Sequence, residues 1–325
     1  MPNDRIITER LGSSARDIAQ AVDLLRKGEL VAFPTETVYG LGADATNATA
    51  VARIFQAKGR PQFNPLIVHF TDAAAAEAHV EMPEEALRLA STFWPGALTL
   101  VLPLKPSSPI CSLVTAGLGT VGVRVPDHPV AEKLLRGFAG AIAAPSANVS
   151  GRVSPTTANH VLDGLDGKIS AVVDAGACPV GVESTIIGFD EGAMLLRPGG
   201  IPVEAIEECL GHPLKMPRNT PNPTAPGQLE SHYATEASIR LNAKERQPDE
   251  LMLGFGPVDC DLNLSRSANL VEAAANLFDF LRKLDELGTD RIAVSPIPDH
   301  GLGRAINDRL RRAAAPRPAP QPKTD

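Results

Sequence analysis

Three observations predict an α/β protein built in two parts. About eight short apolar runs in the first 211 residues alternate with helical stretches, and some links are only hairpin-length. That spacing predicts a mixed sheet, not a strictly alternating parallel one. Five prolines then fall between Pro213 and Pro226 among Asn, Thr and Gly, too poor in core-forming residues for anything but an extended linker. Beyond it, strands and helices alternate again, as in a small three-layer α/β domain. The expected boundaries are 1–212 for the first domain, 213–235 for the linker and 236–315 for the second domain. The tail, 316–325, is Pro-rich and expected to be disordered.

The elements follow in order. Ser13 or Ser14 opens a helix with Ile18, Val22 and Leu25 on one face, stopped by Gly28. Residues 30–33 form a buried strand ended by Pro34, and Thr35, Glu36, Thr37 and Tyr39 sit on a turn closed by Gly40 and Gly42. Thr46 or Asn47 caps the next helix, and Gly59 stops it, leaving Lys58 and Arg60 at its end. A strand at 66–68 ends at His69. Helices at 73–79 and 83–93 precede a long strand at 97–104, and residues 120–125 alternate in the strand manner with Arg124 on one face. A helix at 130–138 and a strand at 141–144 lead to the loop P-S-A-N-V-S-G. Ser154 and Pro155 are placed to cap and start another helix. Strands at 171–174, 184–189 and 194–197 and a helix at 202–210 complete the first part. In the second part the expected elements are a strand at 251–255, a helix at 270–287, a strand at 292–294 and a helix at 305–313.

Composition narrows the function. The net charge is −7, most of it before residue 235, so tight general nucleic-acid binding is not expected. No apolar run approaches the ~20 residues of a membrane span. The N-terminus lacks the apolar core of a secretory signal. Cys111, Cys178, Cys209 and Cys260 are far apart, with no C-x-x-C pair or zinc spacing. They read as reduced thiols of a cytoplasmic protein.

The familiar nucleotide signatures are missing. There is no G-x-x-x-x-G-K-[ST], no complete dinucleotide fingerprint around Gly254 and Gly256, and no metal cluster. Ser146 follows a strand but not within G-x-S-x-G. What remains is a set of strand ends carrying groups suited to anions. Lys58 and Arg60 can hold phosphate, one as a point charge and the other bidentately. Arg124 and Arg197 interrupt or end apolar strands, where a cation is costly without an anionic partner. Ser146, Asn148, Ser150 and Ser154 surround a loop leading to a helix N-terminus, a natural anion cradle. Plainer readings stand beside these. Arg124 can pair with Asp127 or Glu132, the Ser/Asn loop can be capping alone, and His69 can be a satisfied core imidazole.

Seven motifs carry a resemblance. They are F-P-T-E-T-V-Y-G-L-G, A-K-G-R-P-x-x-N-P-L-I-V-H, W-P-G-A-L-T-L-V-L, V-R-V-P, A-P-S-A-N-x-S-G, E-S-T-I-I and L-R-P-G-G. In unbroken order from Ser13 to Gly211, they closely resemble the YrdC-type threonylcarbamoyl-AMP synthases. A-P-G-Q-L-E-S-H-Y-A and G-L-G-R-A-I-N-D-R-L-x-R-A-A resemble the linker and C-terminal part of the long, two-domain form.

The resemblance implies a YrdC-like twisted sheet with an open concave cavity, followed by a Rossmann-like C-terminal domain. It implies a nucleotidyltransferase making L-threonylcarbamoyladenylate and pyrophosphate from L-threonine, bicarbonate (or CO2) and ATP. The product would pass to tRNA threonylcarbamoyl transferase machinery. Carried over by motif, Thr37, His69, Arg124, the backbone around Ala144, and Ser184 would hold threonine. Arg60, Asn64, Thr120, Ser146, Ser154 and Arg197 would hold ATP. Lys58 would lie beside the phosphates, with Lys58 and Arg60 as the catalytic cations. Tyr233 and His232 would reach back from the linker over the nucleotide, the linker and C-terminal domain acting as a lid. Glu230 and Ser231 stand before His232, where the family is often basic. Mg²⁺ would arrive with ATP, bound through phosphates. Two rivals share the fold: a non-catalytic RNA-binding module, and a carbamoyl-transfer domain of hydrogenase maturation proteins, whose expected C-x-x-C pairs are missing here.

Overall fold

The computed structural model describes residues 6–190, 192–216 and 233–316. Its first part contains β1 (Glu9–Leu11), α1 (Ala15–Arg26), β2 (Val31–Phe33), β3 (Gly40–Asp44), α2 (Ala48–Lys58) and β4 (Ile67–His69). Then come α3 (Ala73–Glu77), α4 (Glu84–Phe93), β5 (Leu98–Pro103), α5 (Ser112–Thr115), β6 (Thr120–Arg124) and α6 (Pro129–Phe138). It ends with β7 (Ile142–Ala143), α7 (Ala158–Leu165), β8 (Ala171–Val173), β9 (Thr185–Gly188), β10 (Met194–Arg197) and α8 (Val203–Leu210). The second part contains β11 (Ser238–Arg240), β12 (Leu251–Gly254), β13 (Leu262–Asn263), α9 (Leu270–Glu286), β14 (Arg291–Val294) and α10 (Gly303–Ala314). The first ten strands form one mixed sheet in the order β1-β8-β2-β3-β7-β4-β6-β5-β9-β10. The last four form a parallel sheet in the order β11-β14-β12-β13.

Alternation along the strands divides the large sheet into two faces. Leu30, Ala32, Val68, Leu98, Leu100, Val121 and Val123 enter the main core with Val51, Ile54 and Phe55 of α2 and Leu89 of α4. Val31, Phe33, Ile142, Ala171 and Val173 face the other way, onto Ile18, Val22 and Leu25 of α1 and Leu134 and Leu135 of α6. That second cover stops short. Over β4, β5 and β9 the apolar cluster shrinks to Ile67, Val101 and Ile186. Period-two spacing puts His69 on the face of Ile67, and the functional cavity opens there.

Several local expectations change. The segment from Gly40 is strand β3, not the end of a turn. A side chain at Gly42 would lie 2.8 Å from the Phe33 ring, so glycine here permits close strand packing and not a reversal. β1, β11, β13 and α5 are two to four residues long, too short to leave a periodic signal. Ser154 starts no helix. Thr157 caps α7, and the Ser154 hydroxyl is drawn to a buried carboxylate, that of Glu183, at 2.5 Å. Of the paired candidates for α1 and α2, Ser14 and Asn47 are the caps. Most of the linker and the tail fall outside the described residues.

In the second part, α9 and α10 feed one core with Leu253, Ile292 and Val294. On the sheet's opposite face Ala243, Met252 and Ala293 form a small separate apolar cluster among the described residues, while both helices pack on the first face. The core of α9 and α10 also takes in Val38, Val153 and Val182 from the first part, together with Tyr233. Among the described residues, no helix is long and apolar enough to cross a membrane.

The turn after β10 packs against the start of β9. A Cβ at Gly199 would lie 2.3–2.4 Å from the backbone of Glu183 and Ser184. Gly199→Ala is therefore expected to lower stability by about 2–3 kcal/mol, read as a shift in the urea midpoint at unchanged m-value.

Candidate active site

β4 and β6 run parallel with His69 opposite Arg124, and β7 lies antiparallel to β4 with the Ala144 N–H donating to the Ile67 carbonyl at 2.9 Å. Gly40 bridges Ser146. β10 returns antiparallel to β9 and brings Arg197 back to Ser184. These ends surround a cavity lined by Thr35, Val38, Gly40, Arg60, Ile67, His69, Arg124, Ala144, Pro145, Ser146, Glu183, Ser184, Arg197 and Tyr233.

Each cation in the wall is anchored. Arg124 donates from Nη1 to Thr37 Oγ1 at 2.8 Å and from Nε to the Gly96 carbonyl at 3.2 Å. Its Nη2 lies 2.6 Å from Glu36 Oε1, a buried ion pair. The carboxylate beside Arg124 is therefore Glu36, not Asp127 or Glu132. Glu132 instead pairs with Arg136 one helical turn along α6. Arg60 donates to the carbonyls of Asn64 and Pro65 at 3.2 and 2.8 Å. Arg197 Nη2 donates to the Ser184 carbonyl at 2.9 Å, and the Ser184 hydroxyl shares a 2.7 Å hydrogen bond with Thr99. The Asn64 side-chain oxygen is buried with no hydrogen-bond partner among the described residues.

Burial and like charge shape the titrations. Burial first, and the nearby Arg197 second, pull Arg60 down to about 10. Burial likewise lowers Arg197. Two buried guanidiniums that disfavour one another in one wall are stabilised when an anion enters between them. His69 falls from its ordinary 6.5 to about 3, through burial and then Arg124, and is a neutral imidazole at physiological pH. Burial opposes the charge of Glu183, but Arg309, Arg197 and the Ser154 hydroxyl outweigh it and hold the carboxylate at about 2.

The cavity thus brings together Arg60, His69, Arg124, Ala144, Ser146, Ser184, Arg197 and Tyr233 from the sequence expectation. Thr37 stands just behind, bonded to Arg124. Asn64, Thr120 and Ser154 do not line it, and His232 lies outside the described residues. Lys58 also points elsewhere. Its Nζ donates to the carbonyls of Ser146 and Asn148, both at 2.5 Å. Burial first, and the nearby Arg60 second, push Lys58 well below the usual lysine range. Lys58 therefore fixes the Ser146–Asn148 loop from behind. Sequence reasoning missed Thr35, Val38, Gly40, Ile67, Pro145 and Glu183 in the lining. Glu183 had a signal: a carboxylate directly before the apolar run of β9.

The neutral His69 sets a pH dependence. The folded protein resists protonating this ring until about pH 3, whereas the unfolded chain takes the proton near 6.5. Stability contributed by the neutral ring is therefore lost as pH falls below about 6.5. The Glu183 contribution, from a carboxylate lowered from 4.5 to about 2, is lost only below about 4.5. Denaturant unfolding should show a loss of about 2 kcal/mol between pH 6.5 and 5, and His69→Gln should flatten that slope while leaving the steeper loss below 4.5.

The Sua5_yciO_yrdC family model, described as telomere recombination, matches residues 23–199. A second model, described as threonylcarbamoyl-AMP synthase, C-terminal domain, matches residues 201–315. The threonylcarbamoyl-AMP synthase of Bacillus subtilis strain 168 is 44% identical, covering 96% of each chain. That of Pyrococcus abyssi is 43% identical over 90% of this chain and 93% of its own. The crystal structure of P. abyssi Sua5 complexed with L-threonine matches with a TM-score of 0.86 at 40% identity, over 95% of this chain and 97% of that one. This chain belongs to the Sua5/YrdC family of threonylcarbamoyl-AMP synthases, in its two-domain form.

Proposed function

We propose that this protein forms L-threonylcarbamoyladenylate and pyrophosphate from L-threonine, bicarbonate (or CO2) and ATP, in the cytoplasm, for N6-threonylcarbamoyladenosine in tRNA. The observation that carries the reading is one buried wall holding Arg60 and Arg197 within a single cavity with Arg124, His69 and Ser184. Two anion-binding subsites meet there, which is what joining an amino acid to a nucleotide requires.

Arg124, held square by Thr37, Gly96 and Glu36, takes the threonine carboxylate, with Ser184, the neutral His69 and the backbone at Ala144 around the rest of the amino acid. Arg60, Arg197 and Ser146 take the phosphates, and Tyr233 closes over the nucleotide with His232; Asn64, Thr120 and Ser154, outside the cavity lining, join the ATP subsite by motif alone. Lys58 contributes by fixing the loop that carries Ser146. The neutral threonine amine forms a bond to the carbon of CO2, one C=O electron pair moves to oxygen, and the amine loses a proton. The resulting carbamate oxygen attacks the α-phosphorus in line, and the bond to the β-phosphate oxygen breaks with its electron pair leaving on pyrophosphate. No enzyme nucleophile is needed. Fixed guanidiniums stabilise the charge that develops on phosphate. Mg²⁺ would arrive with ATP, bound through its phosphates.

The space open to water in the cavity is about 50 Å³, far less than the roughly 300–1,000 Å³ of ligand pockets. The linker residue Tyr233 lies in the wall of this narrow cavity, which supports the reading of the linker and second domain as a lid.

Pyrophosphate release should require threonine and bicarbonate together. Release without either one, or RNA binding without any release, would remove the synthase reading. Arg60→Ala should lose about 1.5–3 kcal/mol of charge-assisted hydrogen bonding, at least tenfold in kcat/KM for ATP.

A further inference from the structure

Arg309, on α10 of the second part, is fully buried at 0% exposure. It donates from Nε to Glu183 Oε2 at 2.8 Å, and from Nη1 to the Pro198 carbonyl at 2.9 Å and to Asp308 at 2.7 Å. Its guanidinium lies 5.3 Å from the centre of the Tyr233 ring, which stacks on Phe278 of α9 at 5.5 Å. The other Glu183 oxygen accepts from Ser154. Glu183, Pro198 and Tyr233 all belong to the cavity or to the turn leaving Arg197, so this one side chain grips the site from the far domain. Glu183 is a carboxylate in the wall of a cavity that has to receive a polyanion. Left uncompensated, it would repel phosphate and compete with it for the neighbouring guanidiniums.

We propose that Arg309 is a positioning residue for the phosphate subsite, lent by the C-terminal domain: it saturates Glu183 and so keeps that carboxylate's charge from the incoming triphosphate. This inference rests on the ATP-binding reading above. Asp308 has a second cation, Arg312, at 3.1 Å, so Glu183 is the carboxylate that loses its cation when Arg309 is replaced; the lost contacts to Pro198 and Tyr233 are what the double variant controls for.

The test uses the full-length chain and four proteins: wild type, Arg309→Met, Glu183→Gln and the double variant. Calorimetric binding of ATP, AMP and threonine is measured on each, beside pyrophosphate-release kinetics. Arg309→Met should weaken ATP binding about tenfold or more, AMP less and threonine by under about twofold, because the penalty scales with phosphate charge. Adding Glu183→Gln should recover ATP affinity to within about threefold of wild type, since it removes the charge that Arg309 answers. Equal weakening of ATP and AMP, or no recovery in the double variant, would overturn the inference in favour of a packing role. Should Arg309→Met not fold, the double variant, which buries no charge at this pair, decides alone. Near-wild-type ATP affinity in it supports charge compensation, and a tenfold loss overturns it. A wild-type protein that binds threonine but no ATP would instead overturn the reading on which this one rests.

Discussion

The arrangement depends on taking cations out of water on one uncovered stretch of a sheet. Arg60, Arg124, Arg197 and Arg309 are each less than a tenth exposed. Burying a charge costs several kcal/mol even after relaxation, and a poorly oriented partner does not recover it. The fold answers with fixed partners: the Thr37 hydroxyl and the ion-paired Glu36 for Arg124, the carbonyls of Asn64 and Pro65 for Arg60, that of Ser184 for Arg197, and Glu183 for Arg309. These partners sit on loops next to strands, just after β2 and just before β4 and β9, where the backbone is not committed to the sheet ladder. The loops therefore cannot drift without stranding a charge, and the geometry of the site is enforced by the cost of breaking it.

That constraint explains what could be read from sequence. Arg124 inside T-V-G-V-R-V and Arg197 at the end of M-L-L-R were conspicuous, because apolar strands do not carry guanidiniums without reason. The helix ending at Lys58 and Gly59 was equally legible, since Asn47 and a left-handed glycine bracket it. Partnership was not legible. Glu36 lies 88 positions before Arg124 and Glu183 lies 126 before Arg309, and only the folded sheet brings each pair together. Ser154 misled for the same reason: locally it is a good cap, but a buried carboxylate across the sheet is the stronger attraction, and Thr157 caps the helix two positions beyond Pro155. Sequence places Lys58 at a helix end suited to phosphate, but not the two carbonyls, 88 and 90 positions away, to which its amine donates.

The two parts of the chain are not merely tethered. Val38, Val153 and Val182 of the first part lie in the same apolar cluster as α9 and α10 of the second. Arg282 of α9 donates to the Val153 carbonyl at 2.6 Å, one residue from Ser154. The cavity wall is therefore built from one domain but braced by the other.

Division of labour between the domains follows from chemistry more than from architecture. A wall that holds only cations would attract phosphate, but its charges would also oppose one another: Arg60 is lowered first by burial and then by Arg197. Placing Glu183 among them relieves that repulsion when the site is unliganded and opposes the triphosphate when it arrives. Supplying the answering cation from a separate domain resolves the conflict, because Arg309, which is not in the cavity lining, pairs with Glu183 at 2.8 Å. The wall then keeps its positive balance without any of its charges lying bare in the core, and the second domain becomes part of the active site without touching substrate.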